Sequence, residues 1–144
     1  MGEVVYAEDV NYWRTGKSSP DSWMEKAARE IETAGGKVTG EAFGRDGDGR
    51  AAYMLAFEFP PDRFKVVWPV LPTKSGDVTS AKRQAATMLY HDVKARCVSA
   101  KVLGARSAFF SYVQLEDGRV AAQVASPEVV VRMLPRLLVG GEEA

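Results

Sequence analysis

Apolar residues recur at two different spacings along the chain, and each spacing predicts one type of element. Between residues 20 and 34 the spacing is helical, with Ser19 as a potential N-cap and a Gly35-Gly36 pair that can end the helix. The apolar face of this predicted helix consists of Trp23, Ala27, Ile31 and Ala34. We therefore expect an amphipathic first helix that packs on a core.

Three stretches after this helix, residues 37–44, 51–59 and 64–70, follow the two-residue period of a strand. The glycine-rich run 45–50 and the proline-rich run 60–63 separate them, and such runs favour turns. The predicted apolar face consists of Tyr53, Leu55, Phe57, Phe59, Phe64, Val66, Trp68 and Val70. Pro69 has no N–H for a ladder, so the third strand is expected to lie at a sheet edge or to contain a bulge. The pattern predicts an antiparallel meander.

A long helix is predicted from Val78 to Leu103, between Asp77 as N-cap and Gly104 as stop signal. Its apolar stripe should lie on the sheet and consists of Ala81, Ala85, Leu89, Val93 and Ala100, flanked by Ala86 and Cys97. The pattern therefore predicts an α+β domain. Its sheet is mainly antiparallel and has three to four strands, with the long helix packed on one face and shorter helices beside it.

The ends of the chain have weaker patterns. Residues 1–18 are predicted to form an extended lead-in whose apolar side chains pack on the domain, namely Val4, Val5, Tyr6, Tyr12 and Trp13. Residues 108–115 fit either a strand or a short helix, and residues 116–119 a turn. A strand over 120–125, a short helix from Ser126 that Pro135 limits, and a flexible tail over 140–144 complete the prediction.

Composition supports one globular domain over residues 1–144, because 46% of the residues are hydrophobic and 10% are aromatic. No apolar run reaches the roughly 18 residues that cross a bilayer, and the N-terminus has no features of a signal peptide. The single cysteine cannot form an internal disulfide. These observations predict a cytoplasmic protein without a membrane partner.

The chain contains one histidine, His91, which excludes the zinc sites that need two or three histidines. Cys97 lies about 240° around an ideal helix from His91, so we expect a buried apolar cysteine instead of a nucleophile. The sequence predicts no catalytic residue, no metal site and no cofactor. One question stays open, because strand pairing could bring together two of the meander carboxylates Glu41, Asp46, Asp48, Glu58 and Asp62.

Charge is distributed unevenly although the formal net charge is +0. Residues 77–106 carry six basic and two acidic side chains, net +4. On the predicted long helix, an arc of about 80° contains Arg83, His91, Lys94 and Lys101, with Thr87 and Val98 in the remaining places. Such an arc binds phosphates if it faces a groove, or it is an ordinary solvated helix face.

Residues 19–104, a helix, a meander and a long helix, are similar in layout to the core of the single-strand annealing proteins of recombination. That resemblance implies single-stranded DNA bound along the basic arc, and a homo-oligomer such as a ring. It also implies base stacking on exposed aromatics, for which Tyr53, Phe64 and Trp68 are the candidates. The same aromatics alternate as a core face would, so both interpretations of them stay open.

Two further resemblances and one alternative function remain. The segment from Trp68 to Arg119, with Lys82-Arg83-Gln84-Ala85-Ala86 and Asp117-Gly118-Arg119, resembles small uncharacterised proteins of phages and mobile elements. The order of elements resembles the PD-(D/E)xK nucleases, with Glu58 or Asp62 available as the first acid but Arg63 where the second motif needs an acid. The alternative to DNA binding is a protein-interaction or structural subunit that uses the aromatic sheet face or the edge strand containing Pro69.

Overall fold

The computed structural model describes residues 3–121. Over these residues the chain is α+β, as predicted, and its elements are α1 (Pro20–Thr33), β1 (Lys37–Arg45), β2 (Ala51–Phe59), β3 (Asp62–Pro69), α2 (Val78–Leu103) and the one-turn α3 (Ala105–Ala108). None of the helices in residues 3–121 is both long and apolar enough to cross a membrane.

Side chains cap both long helices at the residues that the sequence predicts. The Ser19 hydroxyl accepts a hydrogen bond from the Ser22 N–H at 3.2 Å, and Pro20 occupies the first helical position. The Asp77 carboxylate accepts the Ser80 N–H at 3.1 Å, and α2 ends where Gly104 adopts a φ of 88°. The predicted bounds of α2 are confirmed because these local signals satisfy the unpaired backbone groups at helix ends.

The three strands form one antiparallel sheet in the order β1-β2-β3. The register places Tyr53 opposite Trp68, Leu55 opposite Val66 and Phe57 opposite Phe64, so the predicted apolar face is continuous across β2 and β3. The register of β1 shifts between Val38 and Gly40. The edge position of β3 is confirmed at Pro69, whereas the start of β3 gains a bridge between Phe64 and Val113.

The core lies between this sheet face, hereafter the inner face, and helices α1 and α2. Its largest fully buried side chains are Phe57, Phe64, Phe109, Ile31, Leu55, Leu89, Gln84, Val66 and Val93. The small side chains on α2, such as Ala85 and Ala86, are buried in the same cluster. The predicted packing of the long helix on the sheet is confirmed.

For residues 108–115 each interpretation holds in part, because Phe110–Tyr112 form a 3-10 turn whereas Val113 and Gln114 form isolated β-bridges. The predicted turn at 116–119 is confirmed by a hydrogen bond from the Leu115 N–H to the Arg119 carbonyl, 2.7 Å. Of the predicted strand 120–125, Val120 forms an isolated bridge with Gln114. Ala121 does not continue it as a strand. Residues 122–125, the predicted final helix and the predicted tail lie outside the described residues.

The expectation of an extended lead-in over residues 1–18 is wrong for the part that the structure describes. Ala7–Asp9 form a 3-10 turn, and Ala7 is fully buried with its N–H bonded to the Pro72 carbonyl at 2.9 Å. Val4 and Val5 are 62% and 53% exposed, so the expectation that they pack on the domain is also wrong. Backbone hydrogen bonds hold this segment in place, and the spacing of apolar residues gives no indication of such bonds.

Candidate nucleic-acid interface

The predicted basic arc of α2 is interrupted in its first half. Lys94 and Lys101 are exposed, as a phosphate-binding role needs. Thr87, which the sequence places on the same arc, is buried, and its hydroxyl donates to the Arg83 carbonyl at 2.7 Å. Arg83 itself is half-buried, and its Nε atom lies in the interior without a hydrogen-bond partner. The four basic residues therefore do not form one open stripe.

The N-terminal segment crosses α2 beside this interruption, at Gln84. The Gln84 side-chain amide donates to three backbone carbonyls, those of Ala7 at 2.8 Å, Asn11 at 3.0 Å and Val10 at 3.1 Å. Gln84 is only 1% exposed, and a buried amide needs such partners. One polar side chain of α2 thus fixes the path of residues 7–11 across the helix.

The same crossing places Tyr12 on His91. The two rings are stacked, with 4.9 Å between centroids and 11° between planes. His91 also contacts Trp23 of α1 at 5.8 Å and Tyr90 at 5.1 Å. Tyr12 remains 37% exposed, and its backbone adopts a φ of 71°, which is uncommon for a residue other than glycine. An exposed aromatic ring, that of Tyr12, therefore lies on the arc and stacks on His91.

Sequence reasoning did not find Tyr12. The residue lies in a stretch without periodicity, and its contact with His91 joins two distant parts of the chain. The one available signal was that Tyr12 and Trp13 are too apolar to be left fully solvated.

Cationic groups surround this ring cluster. Three of them lie over aromatic rings: Lys26 Nζ 4.4 Å from the Trp23 centroid, Lys94 Nζ 5.9 Å from that of Tyr90, and the Arg14 guanidinium 5.0 Å from that of Trp13. Arg14 also forms an ion pair with Asp77 at 2.9 Å, which offsets its charge. Lys26 and Lys94 thus lie over two rings that contact His91, where a phosphate could reach them.

Helix α1 brings one acidic side chain, that of Glu30, close to α2 near Tyr90 and Cys97. The Tyr90 hydroxyl donates to Glu30 at 3.5 Å, and Glu30 acts electrostatically on Cys97, as Lys101 does with opposite sign. Burial, the largest cause, raises the pKa of the Cys97 thiol to about 11, so the prediction of a buried apolar cysteine is confirmed. Glu30 therefore adds a negative charge close to both Tyr90 and Cys97.

The predicted base-stacking role of Tyr53 is wrong. Tyr53 is 6% exposed and Phe64 is fully buried, both on the inner face, and burial raises the pKa of the Tyr53 hydroxyl. Trp68 is half-buried and packs against the same core. The alternative in which the aromatic sheet face binds a protein fails for the same reason. A two-residue alternation marks a buried face, and here α1 and α2 cover it.

Three of the five meander carboxylates form ion pairs with arginine. Asp62 accepts two hydrogen bonds from Arg106, at 2.7 and 3.0 Å, and these hold the pKa of Asp62 below its usual value. Asp46 and Asp48 both pair with Arg50, at 3.0 and 3.6 Å. Among residues 3–121, no three histidine, cysteine, aspartate or glutamate side chains are grouped so that they could hold a metal ion.

No protein-family model matches the sequence, and searches of curated proteins and of solved structures likewise find no match. The function must therefore be inferred from the geometry of the surface around Tyr12, His91 and Lys94.

Proposed function

We propose that the protein is a non-enzymatic binder of single-stranded DNA, and that it binds the strand on the α2 surface. We define the α2 surface as Tyr12, Lys26, His91, Lys94 and Lys101. We place this role in a phage or mobile-element context, because the sequence resembles small uncharacterised proteins of such elements, which commonly encode small DNA-handling proteins. The observation that carries the proposal is the exposed Tyr12–His91 ring stack beside Lys94.

The chemistry of single strands matches these groups. An unpaired base exposes its ring faces, and stacking on an aromatic side chain contributes about 1–3 kcal/mol per base. Tyr12 presents such a ring, and the contact of its other face with His91 holds it in place. Lys94 lies one helical turn from His91, and Lys101 two turns further along α2, so a strand that stacks at Tyr12 passes two exposed cations.

Salt dependence tests the phosphate part of this proposal. Fluorescence anisotropy with a labelled oligothymidine, measured at several salt concentrations, gives the slope of log affinity against log salt. We expect Lys94→Glu to weaken binding and to reduce the slope by about 0.7 or more, because each single-strand phosphate contact releases that fraction of a counterion. Lys101→Glu should change binding and slope in the same direction, since Lys101 is also exposed on this surface. The matched control is Lys37→Glu, which is exposed and lies on β1, outside the α2 surface as defined.

The stacking part is tested separately. Tyr12→Ala should lower affinity about five- to 150-fold, which corresponds to 1–3 kcal/mol, and leave the salt slope unchanged. Tyr12→Phe should keep the affinity, because stacking uses the ring and not the hydroxyl. Absence of binding at low salt, or equal loss in Lys37→Glu and Lys94→Glu, would refute the proposal.

Two other predictions from the sequence, a homo-oligomer and a nuclease, are tested with the same protein and labelled DNA. A ring or other homo-oligomer would appear in light scattering of the free and DNA-bound protein. A nuclease of PD-(D/E)xK type would cleave the labelled DNA with Mg²⁺ or Mn²⁺ and would lose that activity in Glu58→Gln. Cleavage with this dependence would replace the binding proposal with an enzymatic one.

A further inference from the structure

A groove of about 230 Å³ lies between the start of α1 and the strands β1 and β2. It is lined by six residues, namely Asp21, Met24, Glu41, Ala42, Phe43 and Tyr53. Helix α1 provides the first two of them, β1 the next three and β2 the last. We call it the α1–β1 groove. It shares no residue with the α2 surface, so its chemistry can be considered separately.

An aromatic ring that is open to solvent borders this groove. Phe43 lies opposite Tyr53 in the antiparallel register, so its ring belongs to the inner face of the sheet. The two rings are in contact, with 4.7 Å between centroids and 51° between planes. Tyr53 is 6% exposed, whereas Phe43, on the strand at the edge of the described sheet, is 46% exposed. Phe43 therefore combines a position fixed by the core with a ring that a ligand can reach.

One cation of the protein already lies over this ring. Lys82 of α2 places its Nζ atom 5.0 Å from the Phe43 centroid. The face of an aromatic ring carries partial negative charge and attracts ammonium groups. Within residues 3–121, Lys82 has no carboxylate partner, so this contact is not the by-product of an ion pair. The surroundings of Phe43 are thus compatible with a primary ammonium group.

Three acceptor groups line the same groove. Asp21 and Glu41 are exposed, and neither carboxylate has a partner among the described side chains. The Tyr53 hydroxyl also lacks a hydrogen-bond partner in this part of the chain, although hydroxyls on side chains as buried as this one normally have one. Burial and, second, the charge of Asp21 raise the pKa of this hydroxyl, so it is neutral at pH 7 and lies within the field of the carboxylate.

The charges around the groove favour a cation over an anion. Its lining contains two carboxylates and no basic side chain. Arg45, the next residue on this side of β1, donates to the Gly49 carbonyl at 3.0 Å and lines a different groove. Lys82 is the one basic group that the described residues place against the ring of Phe43. A phosphate would therefore meet repulsion here, in contrast to the α2 surface.

We propose that the α1–β1 groove binds a primary alkylammonium group, with the cation at the ring of Phe43 and with Asp21, Glu41 and Tyr53 as acceptors. A primary ammonium has three N–H donors, and the groove provides three acceptor groups. Met24 and Ala42 offer apolar contacts for the alkyl stem. The volume lies below the roughly 300–1,000 Å³ of sites for drug-sized ligands, which suits one ammonium group and its stem. Such a group belongs to a free amine or to a lysine side chain.

NMR spectra of the full-length protein with ¹³C-labelled methionine methyl groups test this proposal. Met24 lines the α1–β1 groove, whereas Met54 lines other grooves and is the internal reference. n-Butylammonium chloride is added in exchange for NaCl at constant ionic strength, and n-butanol is the matched neutral probe. We expect butylammonium to shift the Met24 signal until the site is saturated, and butanol to leave it unchanged. Equal shifts with butanol, or no saturable shift with butylammonium, would overturn the proposal.

Three variants test the cation–ring contact with the same titration. Phe43→Leu keeps an apolar side chain without an aromatic face and should weaken butylammonium binding about two- to fivefold, whereas Phe43→Tyr should preserve it. Lys82→Met should strengthen binding about two- to fivefold, because it removes a positive charge over the same ring. The matched control is Lys94→Met, which removes a lysine from another ring, that of Tyr90, and should have no effect. Unchanged binding in Phe43→Leu, or weaker binding in Lys82→Met, would contradict the proposed contact.

Two further probes distinguish the sources of the ammonium group. 1,4-Diaminobutane represents a free amine, and the peptide acetyl-Ala-Lys-Ala-amide represents a lysine side chain of a partner protein. Tighter binding of the diamine would support a free amine as the ligand, and tighter binding of the peptide would support a lysine side chain. If neither probe shifts the Met24 signal, the groove is not an ammonium site.

Discussion

At the scale of single residues, Glu8 has the densest set of hydrogen bonds in the N-terminal segment. Its carboxylate accepts the Ser75 hydroxyl at 2.6 Å and the N–H groups of Ser75 and Lys74, both at 2.9 Å. The hydroxyl is the largest influence, and with the N–H groups it lowers the pKa of Glu8 to about 2. The ionised form of Glu8 thus ties the 3-10 turn to the loop before α2.

This arrangement predicts a defined pH dependence. The folded-state pKa lies below the unfolded value, so the stabilisation from Glu8 is complete above about pH 4.5 and is lost as the pH falls towards 2. Glu8→Gln should therefore lower the urea midpoint at pH 7, and the difference from wild type should shrink between pH 4.5 and 2. Tryptophan fluorescence during urea titrations at several pH values measures it. Glu32→Gln, on the exposed side of α1, is the control and should show no such trend.

At the scale of elements, the end of α1 depends on Gly36. A Cβ atom at this position would lie 2.7 Å from Phe59 Cζ and 2.8 Å from Ile31 Cγ2. Neither neighbour can move easily, since Ile31 is fully buried and Phe59 packs against the core. Gly36→Ala should reduce the free energy of unfolding by about 1–3 kcal/mol, as overpacking does.

Gly16 offers a matched control for this prediction. A Cβ atom there has no neighbour within 4 Å, and its φ is not in the left-handed region. Gly16→Ala should therefore change stability by no more than about 0.5–1 kcal/mol, in the stabilising direction if at all. Chemical denaturation of both variants measures the contrast, and similar losses in the two would show that the packing around Gly36 is not the cause.

The elements also show how far the sequence could predict this structure. Ser19, Asp77 and Gly104 are local signals, and local signals were sufficient for the bounds of α1 and α2. The path of residues 7–12 was not predictable, because it depends on one amide, Gln84, that reaches three distant carbonyls. A contact of this kind produces no periodic pattern of residues in the sequence.

The residues of the candidate site were likewise predictable only where a local pattern determines their position. Lys94 and Lys101 were placed correctly on the surface, because their positions follow from the helical repeat alone. Tyr53 was misplaced because alternation identifies a common face without identifying what covers it. Tyr12 was missed because its partner, His91, is brought to it only by the tertiary fold.

At the scale of the whole molecule, Phe109 joins the region after α2 to the core. Its ring lies 5.0 Å from that of Phe57 and 5.8 Å from that of Phe64, and it is fully buried. Arg106, three residues earlier, pairs with Asp62 at the start of β3. The sheet, α2 and α3 are thus connected through one aromatic cluster, and we expect them to unfold together.

Phe109→Ala tests that coupling against its neighbour Phe110, which is 59% exposed. Removing the buried ring should cost about 3–5 kcal/mol, a large share of the 5–15 kcal/mol that stabilises a typical domain. Phe110→Ala should change stability by less than about 0.5 kcal/mol. Urea unfolding followed by far-UV circular dichroism and by tryptophan fluorescence should give one shared, lowered midpoint for Phe109→Ala. Separate midpoints would mean that the region after Gly104 unfolds alone, and that Phe109 stabilises this region and not the whole domain.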